Sequence, residues 1–102
     1  MKYNATVFVI EDDYEVSQAL ACLFASVNLS VEVFASADEF MEKLTSKTKG
    51  CIVADIRMPG MNGLDLQEAL KKAHYELPII FITAHGDIPM AIKAIKGGAI
   101  DF

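Results

Sequence analysis

The chain has 102 residues, which bounds it to one domain. Its 53% hydrophobic share, above the usual ~45–50%, and its 23% of charged residues exclude a disordered tail and predict a core of reasonable size. The formal charge of −5, from 9 Lys+Arg against 14 Asp+Glu, argues against a segment that grips nucleic acid by its phosphates, because that task needs a basic face.

Short β-rich runs alternate with amphipathic stretches. Thr6-Val7-Phe8-Val9-Ile10 has no polar alternation and predicts a strand buried on both faces. Val16, Leu20, Leu23, Phe24 and Val27 share one helical face, and Asp13 stands where a cap is needed. Val31 to Phe34 predicts a second strand. Ser36-Ala37-Asp38-Glu39 has the form of a capping box and opens a helix with Phe40, Met41 and Leu44 inward. After a polar loop, Cys51-Ile52-Val53-Ala54 predicts a third strand ending in Asp55. Arg57 to Gly63 reads as a loop by its Pro and Gly content. Asn62 can cap a helix that carries Leu64, Leu66, Ala69, Leu70 and Ala73. Pro78 introduces a fourth strand, Ile79 to Ile82. Thr83 to Gly86 reads as a loop and Met90 to Lys96 as a helix closed by Gly97-Gly98. Ile100-Asp101-Phe102 begins a fifth strand.

Cys22 and Cys51 lie in apolar runs with no second Cys or His at ligand spacing, and both are expected to be buried free thiols in a reducing compartment. His74 is expected at the surface. Met1-Lys2-Tyr3-Asn4 leads straight into an apolar run, which reads as no signal peptide. No apolar stretch approaches the ~18–20 residues of a membrane span, so a cytoplasmic protein is expected.

Buried strands alternating with helices predict an α/β fold, a doubly wound parallel sheet covered on both faces. Ligands of such open sheets bind at the carboxyl ends of the strands, at the switch point. Glu11-Asp12-Asp13, Asp55 and Thr83 therefore fall into one crevice. Taken alone, the acidic triplet reads as a helix N-terminus and Asp55 as a turn residue. Together, converging carboxylates repel one another unless a cation offsets their charge. Mg²⁺, which prefers oxygen ligands and is often shared with phosphate, is the simplest such cation. A carboxylate beside it can attack phosphorus to give an acyl phosphate, and the Thr83 hydroxyl can hydrogen-bond a phosphoryl oxygen.

Four segments in order then show a family resemblance: Val9-Ile10-Glu11-Asp12-Asp13, Asp55-Ile56-Arg57-Met58-Pro59-Gly60-Met61-Asn62-Gly63, Ile82-Thr83-Ala84-His85-Gly86-Asp87 and Gly98-Ala99-Ile100-Asp101-Phe102. Over essentially its whole length the chain resembles the receiver domains of bacterial two-component response regulators. Asp-x-x-Met-Pro-x-x-x-Gly is the most specific part. The run Thr83 to Met90 is most similar to receivers of nitrogen-fixation and dicarboxylate-response regulators.

The resemblance implies a flavodoxin-like sheet of order 2-1-3-4-5 and a signalling switch rather than an enzyme. It implies Asp55 as phosphoacceptor, Asp12 and Asp55 as Mg²⁺ ligands, Glu11 supporting the ion through water, and the Arg57 carbonyl as a further ligand. Thr83 would follow the phosphoryl group and Phe102 would be the aromatic switch. Asp13 ranks as a helix cap before a site residue. Arg57 and His85 fall where side chains flank the path of attacking water, and are expected to modulate the lifetime of the phosphoryl group. The implied partner is a sensor histidine kinase, and the implied output is a transcriptional domain outside this chain.

Receivers of this kind carry a lysine shortly after the switch aromatic and then a last helix. The chain reaches only Phe102, so one incomplete domain, 1–102, is expected, with strand five partial and helix five missing. Self-association through helix four or an open sheet edge, with no membrane contact, goes with that expectation. Two other enzymatic or ligand-binding readings fail on particular residues. An aspartyl phosphatase wants a carboxylate two residues after its nucleophile, where Arg57 stands. A nucleotide- or flavin-binding fold wants a phosphate cradle after strand one, where Glu11-Asp12-Asp13 stands. A degenerate receiver acting only as a protein-interaction module is the remaining alternative.

Overall fold

The computed structural model describes residues 6–56, 58 and 60–82. Its elements run β1 (Thr6–Ile10), α1 (Tyr14–Ala25), β2 (Ser30–Phe34), α2 (Ala37–Lys43), β3 (Gly50–Asp55), α3 (Gly63–Lys72) and β4 (Ile79–Ile82). All four strands are parallel, in the order β2-β1-β3-β4. This is the expected doubly wound order as far as the fourth strand. The helix expected over Met90 to Lys96 and the strand expected from Ile100 lie outside the described residues, as does the anticipated edge beside strand five.

The central strand explains the topology. Val7 to Ile10 are all buried, and an uninterrupted apolar strand needs neighbours on both edges and cover on both faces. The period of two divides its side chains. Phe8 and Ile10 join Phe34, Phe40, Ile52, Ile56, Leu66, Leu70 and Phe81 in the larger core, under α2 and α3. Val7 and Val9 join Val53 on the other face, under Leu20 and Phe24 of α1. Each fully buried side chain such as Phe40, Phe81 or Leu66 contributes roughly 1.5–3 kcal/mol.

The helices begin where the sequence predicts. Asp13 Oδ1 accepts from the Val16 N–H, the Ser36 hydroxyl accepts from the Glu39 N–H, and Asn62 and Asp65 form a reciprocal capping box. The ends of α1 and α3 were not anticipated. The Leu29 N–H donates to Phe24 O and the Asn28 N–H to Ala25 O, with Asn28 at φ 64°. The same pattern closes α3: Tyr75 N–H to Leu70 O, His74 N–H to Lys71 O, and His74 at φ 62°. Both are Schellman closures in which a residue other than glycine takes the left-handed position.

Two expectations need correction. The apolar face of α1 is narrower than the spacing implied. Leu20 and Phe24 pack on the core, whereas Leu23 is 60% and Val27 63% exposed, and Val16 is also exposed. Leu23 lies on the flank of the stripe that Leu20 and Phe24 turn to the sheet, and Val27 lies past the last residue of α1. Cys22, on the same outer side of α1, is exposed rather than buried, and Cys51 is half-buried; both are free thiols. His74 is exposed as expected. Among the described residues, no helix is long and apolar enough to cross a membrane.

Candidate functional site

Register brings the carboxylates together. Ile10 of β1 pairs with Ala54 of β3, so the next residues, Glu11 and Asp55, leave the sheet side by side. The Glu11 N–H donates to Phe34 O and the Ile56 N–H to Ile82 O, which holds both strand ends in the ladder to their last residues. Asp12 follows Glu11 before Asp13 starts α1. One carboxylate oxygen from each of Glu11, Asp12 and Asp55 lies within 4.8 Å of the others.

Gly63 closes back on the end of β3. The Gly63 N–H donates to Ile56 O at 3.1 Å. A Cβ on Gly63 would stand 2.6 Å from a Phe81 ring carbon and 2.9 Å from the Asp55 carbonyl oxygen, so only glycine admits this approach. Met58 is buried in the larger core, and Gly60 turns the loop at φ 74°. The Asp-x-x-Met-Pro-x-x-x-Gly spacing thus has a mechanical content: a buried anchor and a close-approach glycine fix the backbone that carries Asp55. The motif exposed that glycine in the sequence, but its contact with the Asp55 backbone was legible only in three dimensions.

The three carboxylates are unequal. Asp12 is exposed and Asp55 half-buried, but Glu11 is only 5% exposed, and its Oε2 is buried with no hydrogen-bond partner among the described residues. Burial pushes the Glu11 carboxyl up to about 8 from 4.5. A hydrogen bond with Asp55 and the negative charges of Asp55, Asp12 and Asp13 push in the same direction. An orphaned, buried acceptor facing two more carboxylates is a donor set suited to a hard divalent cation. Mg²⁺ fits these residues.

Of the expected site residues, Glu11, Asp12 and Asp55 are brought together, and Asp13 caps α1 outside the cluster. Arg57, Thr83, His85 and Phe102 lie outside the described residues. Thr83 directly follows Ile82, the β4 residue paired with Asp55.

Residues 7–102 match the family model described as Response regulator receiver domain. The chain belongs to the response regulator receiver family. This receiver is 49% identical over 98 residues to response regulator protein TodT of Pseudomonas putida, covering 96% of the chain and 43% of TodT. It is 38% identical over 102 residues to transcriptional regulatory protein FixJ of Bradyrhizobium diazoefficiens, covering 100% of the chain and 50% of FixJ. Among solved structures, response regulator StyR superimposes with a TM-score of 0.90 at 48% identity, over 98% of this chain and 50% of that one. The receiver thus spans about half the length of these relatives or less. Receivers of response regulators serve phosphorylation-dependent two-component signalling and interact with sensor histidine kinases.

Proposed function

We propose that this receiver, one cytoplasmic domain over 1–102, accepts a phosphoryl group on Asp55 from the phosphohistidine of a sensor histidine kinase. The observation that carries the reading is the convergence of Glu11, Asp12 and Asp55 within 4.8 Å at the ends of adjacent parallel strands. An Asp55 carboxylate oxygen attacks phosphorus, the P–N bond breaks as the new P–O bond forms, and the released imidazole nitrogen takes a proton from solvent. Asp12, Asp55, the Arg57 carbonyl and, through water, Glu11 would hold Mg²⁺, which offsets carboxylate and phosphoryl charge when bound. Gly63 and Met58 keep the Asp55 backbone in register, so the nucleophile is positioned before the donor arrives. Asp13 remains occupied as the α1 cap and is not drawn into the chemistry.

Thr83 then hydrogen-bonds the acquired phosphoryl group and Phe102 reads the change, biasing two conformations of the domain. The output is control of a transcriptional domain outside this chain, the reading suggested by its likeness to FixJ. The domain itself takes no nucleic acid, consistent with its −5 charge.

Intact-mass measurement after incubation with acetyl phosphate, with and without Mg²⁺, tests the reading. A Mg²⁺-dependent, alkali-labile phosphate adduct that is lost in Asp55→Asn supports it. No adduct on folded protein would favour a phosphorylation-independent interaction module. In the same experiment, replacing Arg57 and His85 with small residues is expected to shorten the adduct's lifetime by admitting water; an unchanged lifetime would remove them as modulators.

A further inference from the structure

A cavity runs along the outer edge of β2, among the first residue of β1, α2 and the turn before β3, with its lysines toward the end of the sheet opposite the carboxylates. Its volume is about 410 Å³, within the range of roughly 300–1,000 Å³ typical of small-molecule sites. Phe8, Phe34 and Phe40 form its apolar side, their ring centroids 5.3–6.4 Å apart. Lys43, Lys47 and Lys49 stand around it, three of the 9 Lys+Arg in a chain of net charge −5. Among the described residues none of the three is in an ion pair, and Lys43 Nζ sits 5.9 Å over the Phe34 ring.

Backbone N–H groups hold both threonine hydroxyls of the turn. The Thr48 hydroxyl oxygen accepts from the Thr45 N–H at 3.0 Å, and the Thr45 hydroxyl oxygen accepts from the Lys47 N–H at 3.2 Å. Each hydroxyl therefore keeps its own proton for a ligand. The turn is tied down at its far end, where the Thr6 N–H donates to Lys49 O. Beside that bond, a Cβ on Gly50 would overlap the Thr6 carbonyl, so β3 hugs β1 there. Three ammonium groups and two hydroxyl donors on a braced backbone select an anion. Glu32 is the one carboxylate in the lining, and a carboxylate accepts from hydroxyl groups.

We infer that this cavity is a binding site for a small organic phosphate monoester bearing hydroxyl groups, separate from the carboxylate site. The test is an amide NMR titration of the full chain with ribose 5-phosphate, without divalent cation, so that the unneutralised carboxylates repel the probe. Saturable shifts are expected at Lys43, Lys47, Thr48 and Lys49, and are expected to persist in Asp55→Asn. Lys43→Ala/Lys47→Ala should weaken binding by about tenfold or more, while Lys71→Ala/Lys72→Ala, which removes the same charge elsewhere, should leave it unchanged. Lys43→Gln/Lys47→Gln repeats the test with the side-chain stems retained, should the alanine pair fold poorly. Non-saturating shifts, equal loss in both lysine pairs, or inorganic phosphate binding as tightly as the ester would each overturn the assignment.

Discussion

Among the described residues, Glu11 is the one whose carboxyl is pushed clearly away from its ordinary value. Its folded pKa of about 8 lies above the ordinary 4.5, so between those values the folded chain holds a proton that the unfolded chain releases. Folding stability without a divalent cation therefore falls as pH rises from 4.5 through 8, and levels off above. Melting in chelator at about pH 5 and pH 8.5 should show this loss, and Glu11→Gln should flatten it. Mg²⁺ should raise the melting temperature more at the higher pH, where the ligands are ionised. Gly63 offers a second test at this scale. Gly63→Ala forces a Cβ against Phe81 and the Asp55 backbone, and should cost about 1–3 kcal/mol in denaturant unfolding. The identities in the cluster were legible from the sequence, because strand ends and carboxylates can be read as a pattern. That Glu11 would be the buried member was not, because burial depends on how β2, β1 and β3 close over it.

Helix starts were legible and helix ends were not, for a chemical reason. A start is announced by a side chain that can accept from backbone N–H groups, and Asp13, Ser36 and Asn62 all do so. An end is announced by glycine, and neither α1 nor α3 has one at its left-handed position. Asn28 tolerates that conformation through its short polar side chain, but His74 has no such advantage. His74→Gly should stabilise the fold by about 0.5–1 kcal/mol, read as a rise of a few degrees in melting temperature. An unchanged or lower value would mean that the imidazole contributes something else at the end of α3. The α1 face shows the opposite limit of sequence reading. Its apolar positions were correctly recognised as helical, yet spacing alone could not say which stripe would find the sheet. Leu20 and Phe24 find it, and Leu23 and Val27 do not.

Across the whole molecule, the parallel sheet with a core on each face followed from the alternation of buried strands and helices, whereas the strand order was implied by the family resemblance, and the four described strands obey both. Leu23, Val27 and Leu29, in the last turns of α1 and just past it, are all exposed. We propose that these exposed apolar side chains support the self-association expected from the sequence. Sedimentation over a wide concentration range should show a concentration-dependent rise in mean mass, reduced by Leu23→Lys; a single monomeric species throughout would contradict it.

The two ends of the sheet carry opposite charge: Glu11, Asp12 and Asp55 where the strands finish, and Lys47 and Lys49 where β3 begins. Five or six residues at ~3.3 Å each separate the poles by about 17–20 Å, roughly twice the Debye length of ~8 Å at physiological ionic strength. An approaching charged body therefore feels each pole separately and turns the molecule before touching it. Such a separation of charge should orient the receiver like a compass needle in a charged partner's field, and the encounter rate is expected to depend on salt even where the final affinity does not.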